Sequence, residues 1–558
     1  MMFFSHPQNQ NGTAQTTPAA DRRVCVRGDD AQGANAFFKQ RGFVCADNAG
    51  VRIDCVRRND RALTYIDRAR RLTDEKYILD IAQDGDRCTV QILYSGRRSL
   101  YYALSDVARQ IEGGALRLGR AEEYPLFAVR GYIEGFYGAP WTHAQRLDML
   151  RCMSAYRMNA YYYAPKDDPY HREQWAQPYP ADALDALCAL VRTADECCVD
   201  FWYCIAPGLD MTYSDETQFA RLMQKCRQLY GVGVRRFGLL LDDIAPELES
   251  EQDKARYGEI VDAHIDLAQR FWDALRAMDG ACEMTLCPMQ YHGRGDEYYI
   301  AKLGQAIDPR IRLFWTGSDI CSKELTVRDA IRFEENTRHK PLYWDNFPVN
   351  DAEMANEMHL GYCFGREAEL YRYCAGLIAN CMPYYACSRI PLMTIADYLW
   401  NPAGYDPRQA WDYALQAAVG GDAPLFCVFA EHLLASCLRV PVSPDMCAAL
   451  DTAQRAYRRG DREQAAALFA AYAARVSSCR ALLEEKRDLP LFRELEPWSR
   501  KFFLMEETLR LCAQYIRNAD AALLPQIRAA LQRYLTLPQV MADFTFRAVT
   551  EWITENVR

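Results

Sequence analysis

Basic blocks, long apolar runs, paired cysteines and glycine-rich phosphate cradles are all missing from this sequence, and each absence removes a class of function. Lys and Arg total 66 against 75 Asp and Glu, for a net charge of -9 with no dense cationic stretch. Such a chain has no electrostatic footprint for nucleic acid or an anionic membrane, and neutral partners are expected. No uninterrupted apolar stretch approaches the roughly 18 residues of a membrane span. The opening Met-Met-Phe-Phe-Ser-His has neither a basic leader nor a long apolar core, so no signal peptide is expected and a cytoplasmic location follows. The 22 cysteines are scattered, with no C-x-x-C pair. They read as reduced, small core residues rather than as a zinc site or a disulfide framework. No G-x-G-x-x-G or P-loop pattern follows any apolar run, which counts against a nucleotide enzyme. Neither a metal nor another cofactor is expected.

What is present suggests a large globular chain. Its 558 residues are 50% hydrophobic, enough for two to four domains. Residues 1–22 are polar and proline-containing and read as a flexible tail. Residues 23–125 carry β-like runs, Tyr77 to Ile81 and Cys88 to Tyr94, then a helical pattern from Arg98 to Ile111 stopped by Gly113-Gly114. A small α/β domain is expected there. From 126 to 404 one theme recurs, an apolar strand ending in polar or glycine chemistry and then a helical interval. The eight strands are Phe127 to Ile133, Asn159 to Pro165, Asp200 to Ile205, Arg236 to Leu241, Glu283 to Cys287, Ile311 to Trp315, Pro341 to Trp344 and Leu377 to Ala379. Eight β-α units of this size predict an α/β fold, a closed (β/α)8 TIM-like barrel. Thr142-x-x-Gln145 is a capping box opening the first helix, and Leu147, Leu150 and Met153 keep its apolar stripe. Residues 405–558 turn alanine- and leucine-rich and predict a C-terminal helical domain, a candidate surface for homodimer formation.

The run Phe237-Gly-Leu-Leu-Leu241 stops at two adjacent carboxylates, Asp242 and Asp243. Alternate side chains of a strand face opposite ways, so both can serve one site only if the strand ends there and the chain turns. Alternatively the pair caps the next helix. Active sites of such barrels lie where strands end. That rule selects Glu134 to Gly138, Lys166 to Asp168, Asp210, Asp242-Asp243, Tyr291, Thr316-Gly317, Asp345-Asn346 with Asp351, and Asn380. Tyrosine, tryptophan, amides and carboxylates around one lysine match a neutral polyhydroxylated ligand. Close carboxylates raise one another's proton affinity, which suits acid/base chemistry. Neighbours on one chain are poorly placed to straddle an anomeric carbon, the usual retaining arrangement. They suit instead the exception in which the sugar's own 2-acetamido oxygen attacks.

The motifs Glu134-Gly-Phe-Tyr-Gly-x-Pro-Trp141, Tyr163-Ala-Pro-Lys-Asp-Asp168 with His171, Arg172 and Trp175, Pro207-Gly-Leu-Asp210, Leu241-Asp-Asp-Ile244, Cys287-Pro-x-x-Tyr291, Trp315-Thr-Gly317 and Trp344-Asp-Asn346 with Asp351 follow the barrel in order. In them the chain resembles glycoside hydrolase family 84. That family comprises retaining β-N-acetylglucosaminidases, including protein O-GlcNAcases and bacterial enzymes historically labelled hyaluronidases. The resemblance implies that Asp242 holds and polarises the acetamido N–H and that Asp243 is the general acid/base. It implies that Tyr291 sits at the acetamido and anomeric region, and that Gly135, Lys166, Asn346, Asp351 and Asn380 contact the sugar, with Trp344 and Asp345 lining the same loop. Met289-Gln290, Cys381 and Ala352 depart from the family's usual residues, which bears on the leaving group rather than on the sugar. Glu134 reads as a structural residue beneath the site, His171 as orienting the Lys166 loop and Cys287 as packing. Lys166 to Asp168 could alternatively be a solvated salt-bridged loop. The expected substrate is a glycan or glycoprotein bearing terminal N-acetylglucosamine. Hyaluronan, free glycans and a non-catalytic sugar-binding role remain open.

Overall fold

The structure is a computed structural model, which describes residues 9–11, 15–19, 21–58, 65–67, 70–72, 74–434 and 443–557. Eight parallel strands close into a barrel: β1 (Val129–Glu134), β2 (Ala160–Tyr163), β3 (Asp200–Ile205), β4 (Arg236–Leu240), β5 (Glu283–Cys287), β6 (Arg312–Trp315), β7 (Pro341–Asp345) and β8 (Gly376–Asn380). Each pairs with the next, and β8 pairs with β1. All eight apolar runs read from the sequence are therefore strands.

The strands read as continuous apolar runs because both of their faces are covered. One set of alternating side chains, with Ile133, Tyr162, Trp202, Leu240, Phe314, Leu342, Trp344 and Ile378, fills the barrel interior. The other set, with Tyr132, Tyr161, Phe201, Leu239 and Leu313, packs outward under the helices. Tyr162 and Trp202 stack inside the barrel with ring centroids 4.9 Å apart and planes 7° from parallel. Helix His143–Ala155 starts at the Thr142/Gln145 capping box, with Thr142 accepting from the Gln145 amide.

At the opposite end of the barrel from the site, charge replaces apolar packing. Arg130 on β1 makes a bidentate pair with Glu75 at 2.9 and 3.1 Å. A ladder then runs from Arg98 to Asp200 (2.9 Å), Asp200 to Arg236 (3.3 Å), Arg236 to Glu283 (2.9 Å) and Glu283 to Arg312 (2.6 Å). Glu75 and Arg98 belong to the preceding α/β unit, so this network joins that unit to the barrel floor.

That unit is a seven-stranded sheet backed by helix Arg97–Glu112. Trp400, the last residue of helix Tyr385–Trp400, is fully buried in its core and donates its indole N–H to Glu123. The flexible tail expected over 1–22 needs correction, because Asn9–Asn11 pairs with 120–122 and Thr16–Pro18 pairs with 115–117. Ladder bonds come from the backbone, so a polar sequence can still be a sheet edge. Residues 1–8, 12–14 and 20 lie outside the described residues. Beyond the barrel the described chain is helical from Pro407–Val419 to Asp543–Asn556. Two stretches there, Pro407–Leu433 and Arg462–Glu485, are long and apolar enough by composition to cross a membrane. Here Phe426, Phe429, Leu433, Phe469 and Val476 from these stretches are buried in the shared core.

Candidate active site

β4 stops at Leu240, two residues before the carboxylate pair. Leu240 points into the barrel and Leu239 outward, so Asp242 continues the inward register. Asp243 should then face away, but its φ of +54° puts it in the left-handed region and turns its side chain into the same cavity. Asp is among the few residues that tolerate this conformation at low cost. The pair caps no helix, since the next one, Glu251–Tyr257, begins after Ser250. The strand end and turn needed for both carboxylates to share a site are both present.

Asp242 and Lys166 are nearly buried, with side chains 9% and 8% exposed, and the ammonium lies 3.2 Å from Asp242 Oδ2. Burial is the largest influence and would raise the Asp242 carboxyl, but the charge and hydrogen bond of Lys166, with the aspartate's own backbone amide and Arg172, together outweigh it and hold the group below its ordinary value. Burial in turn opposes the charge on Lys166, and Asp242, Tyr137 and Asp243 together overcome that, leaving the ammonium raised. Lys166 is thus no solvated loop cation, and Asp168 beside it accepts bonds from the Tyr163 and Tyr179 hydroxyls. Asp243 accepts from the Tyr137 hydroxyl at 2.8 Å through Oδ2 and from the Tyr291 hydroxyl at 3.3 Å through Oδ1. Burial, reinforced by the facing carboxylate, lifts the Tyr291 phenol far above its ordinary value, so it stays a donor. Arg172 donates to the Tyr137 hydroxyl at 3.1 Å and to the Asp243 backbone carbonyl at 3.3 Å, fixing the turn.

Across the cavity Asn346 Oδ1 accepts from both Trp344 Nε1 and Asn380 Nδ2 at 3.0 Å, and Asn346 Nδ2 donates to the Ile320 carbonyl. Asp351 accepts the Tyr137 amide at 2.7 Å, and burial pushes its carboxyl up. Gly135 is required by a close approach. A Cβ there would meet the Trp344 ring at 2.6 Å and Asn380 Oδ1 at 3.3 Å. These groups line one cavity of about 850 Å³ at the strand ends, within the roughly 300–1,000 Å³ of small-molecule sites. Two of its polar atoms, Asp242 Oδ1 and Asn380 Oδ1, are buried without a hydrogen-bond partner. Buried acceptors of that kind are costly unless a ligand supplies the donor.

The structure gathers Asp242, Asp243, Gly135, Lys166, Tyr291, Trp344, Asn346, Asp351 and Asn380 around this cavity, but not Asp345. Asp345 is still on β7, where it takes the face opposite Trp344 and forms a buried ion pair with Arg366 at 2.5 Å, both side chains 3% exposed. It positions the loop after β7 and does not touch the cavity. Glu134 is fully buried and accepts from Arg146 at 2.7 Å through each oxygen and from the Tyr161 hydroxyl, a structural role. His171 is buried against the Cys204 carbonyl at 2.7 Å, and desolvation pushes it down to about 4, so it carries no charge near neutrality. Tyr137 lies within the Glu134 to Gly138 segment that the strand-end rule selects, but the sequence assigns it no role, because its bond to Asp243 spans 106 residues and needs the closed barrel. Among the described residues no group of three or more His, Cys, Asp or Glu could hold a metal ion.

Comparison with known proteins adds an independent line. A family model for beta-N-acetylglucosaminidase matches residues 130–430, which takes in all of the barrel but Val129 and every cavity-lining residue named above. The protein O-GlcNAcases of Rattus norvegicus and Mus musculus are each 31% identical over 275 residues, covering 48% of this chain but only 29% of their own length. A solved Thermobaculum terrenum O-GlcNAc hydrolase mutant is 29% identical with a TM-score of 0.73, over 77% of this chain and 95% of that one. The structure of CpGH84B has the same fold over 98% of this chain and 99% of its own, with a TM-score of 0.82 at 24% identity.

Proposed function

Since the chain belongs to the beta-N-acetylglucosaminidase family, we propose that it is a glycoside hydrolase that releases terminal β-linked N-acetylglucosamine with retention, using the substrate's acetamido group as nucleophile. The observation that carries this reading is the arrangement of Asp242 and Asp243. They reach one cavity from consecutive positions, and one carboxylate is held ionised by Lys166 while keeping an unpartnered oxygen. An enzyme nucleophile would need a second carboxylate across the sugar, about 5 to 5.5 Å from the acid.

In the first step Asp242 Oδ1 accepts the acetamido N–H in a hydrogen bond. This orients and polarises the amide so that its carbonyl oxygen attacks the anomeric carbon. Asp243 gives its proton to the departing glycosidic oxygen as that bond breaks, leaving a cyclic oxazolinium ion whose N–H stays hydrogen-bonded to the Asp242 carboxylate. In the second step Asp243, now a carboxylate, takes a proton from water as the water attacks the anomeric carbon from the vacated side. The ring opens and the acetamide is restored. Two inversions give net retention. Tyr137 and Tyr291 hold Asp243 through its two oxygens, and the unpartnered Asn380 oxygen accepts a sugar hydroxyl. A non-catalytic sugar-binding role is disfavoured because both acid/base groups are present and held.

The test compares two substrates and two variants. Asp243→Asn should cost far more on a poor leaving group, which needs protonation, than on an activated aryl glycoside, with a span of about 10² to 10⁴. Asp242→Asn should slow both comparably. The reverse pattern would exchange the two roles, and an initial α-anomer seen by proton NMR would sink the mechanism.

A further inference from the structure

The cavity extends past the sugar-holding groups, and its outer part has a charge of one sign. Six acidic side chains line it, Asp242, Asp243, Asp319, Asp351, Glu353 and Glu357, against one lysine and no arginine. Lys166 is committed to Asp242, Asp351 holds the Tyr137 amide, and Glu357 meets His359 at 2.6 Å. Asp319, after β6, and Glu353, after β7, are different. Both are exposed, and neither has a cationic partner among the described residues. Among the described residues the only side-chain hydrogen bond to the Asp319 carboxylate is from the Ser318 hydroxyl at 3.4 Å.

The segment that carries Asp319 is tied down by hydrogen bonds to its backbone. The Asp319 carbonyl accepts from the Thr316 and Ser322 hydroxyls at 2.8 and 3.0 Å, and the Ile320 carbonyl accepts from Asn346 at 2.8 Å. Ile320 itself is 48% exposed on the cavity wall. Of the flanking arginines, Arg366 pairs with Asp345, Arg172 donates to Tyr137 and Arg294 pairs with Asp296, while Lys323, four residues after Asp319, is exposed and does not line the cavity. The unpartnered, more than nine-tenths buried Asp242 and Asn380 oxygens mark the inner, sugar-holding end. The acidic lip therefore faces whatever the sugar is attached to.

On the reading that this is a β-N-acetylglucosaminidase site, we propose that the outer wall selects the leaving group by charge, favouring N-acetylglucosamine carried on a polypeptide with lysine or arginine near the glycosylated residue and rejecting polyanionic glycans. A cleft lined by one sign of charge concentrates the opposite charge and repels its own. Lysine and arginine fit in a second way, because their aliphatic stems can lie on Ile320 while the charged heads reach Asp319 or Glu353. A cationic amino sugar has no such stem, and a uronate-containing polymer brings like charge to both acids.

The experiment uses the full chain and three matched glycopeptides bearing O-linked N-acetylglucosamine on serine, flanked by lysine, alanine or glutamate. An aryl N-acetylglucosaminide runs in parallel. At about 20 mM salt kcat/KM should rank lysine over alanine over glutamate, with about a tenfold or larger span from first to last. At about 500 mM salt, where screening is strong, the span should contract toward one. It should also contract in the Asp319→Asn/Glu353→Gln double variant at low salt. Equal rates on the three peptides at low salt, or a span unchanged by salt and by the double variant, would overturn the inference, as would hyaluronan fragments cleaved faster than the alanine peptide. If the aryl glycoside is not cleaved, the hydrolase reading itself fails and this inference fails with it. If it is cleaved and the peptides are not ranked, only the charge selection is wrong.

Discussion

Replacing Lys166 by methionine removes a charge from beside Asp242 while nearly keeping the volume, and the structure sets the size of the effect. With 3.2 Å between Nζ and Oδ2, Coulomb's law at an effective dielectric near 20 gives an attraction of about 5 kcal/mol. Only part of this is lost in the variant, because Arg172 also lowers the Asp242 carboxyl and solvent and side chains relax. What is lost raises the carboxyl, because the nearest charge favouring its ionised form is gone. The sign follows from the ionised form being the one that accepts the acetamido N–H. In the native protein the lowered pKa keeps Asp242 ionised throughout the range above the ordinary carboxylate value. In Lys166→Met burial acts unopposed by the lysine, so the acidic limb of the pH profile should move upward. The assay is kcat/KM on an aryl N-acetylglucosaminide from about pH 4 to pH 9. The position of the limb reports Asp242, whereas lost contact between Lys166 and the sugar would lower the plateau without moving the limb. Lys166→Arg, which retains the charge, should leave the limb in place. A limb at the native position in Lys166→Met would refute the claim that Lys166 holds Asp242 ionised.

Other perturbations separate site from scaffold. Gly135→Ala places a Cβ 2.6 Å from the Trp344 ring, and the displaced ring should lower kcat/KM by about 10- to 100-fold with thermal unfolding little changed. Glu75→Gln leaves Arg130 buried and unpaired beneath the barrel, so urea unfolding near neutral pH should show a loss of about 3 to 5 kcal/mol. Burial opposes ionisation of Glu75, but Arg130 and Arg98 outweigh it and lower its pKa. The native advantage is therefore full above the ordinary carboxylate range and should shrink as pH falls below it. Asp345→Ala orphans Arg366 in the same way, so stability should drop while KM, measured well below the melting temperature, stays near the native value. A KM increase as large as that of Asn346→Ala would mean that Asp345 does touch the sugar.

The contrast between Asp242-Asp243 and Trp344-Asp345 explains how far the sequence could be read. Barrel strands are legible because both faces are buried, which writes each one as a short apolar run bounded by polar residues. The acidic ends of those runs then identify the rim, and the resemblance supplies candidate roles. What a linear reading cannot supply is the residue at which ladder bonding stops, and that decides which way a side chain points. β4 ends at Leu240, Asp242 keeps its inward register, and the positive φ of Asp243 breaks the alternation and swings the second aspartate into the cavity beside the first. β7 runs one residue past its apolar segment, through Asp345, so the alternation still holds there and sends Trp344 inward and Asp345 outward to Arg366. Both motifs place an acid beside the end of an apolar strand. One-residue differences in strand length give them opposite destinations, and those differences depend on the neighbouring strands and on Arg366, 21 residues further on. Tyr137 and the acidic lip were hidden for the same reason. Tyr137 meets Asp243 only once β1 and β4 are set into a closed barrel, and Asp319 and Glu353 face one cavity only because β6 and β7 are neighbours in it.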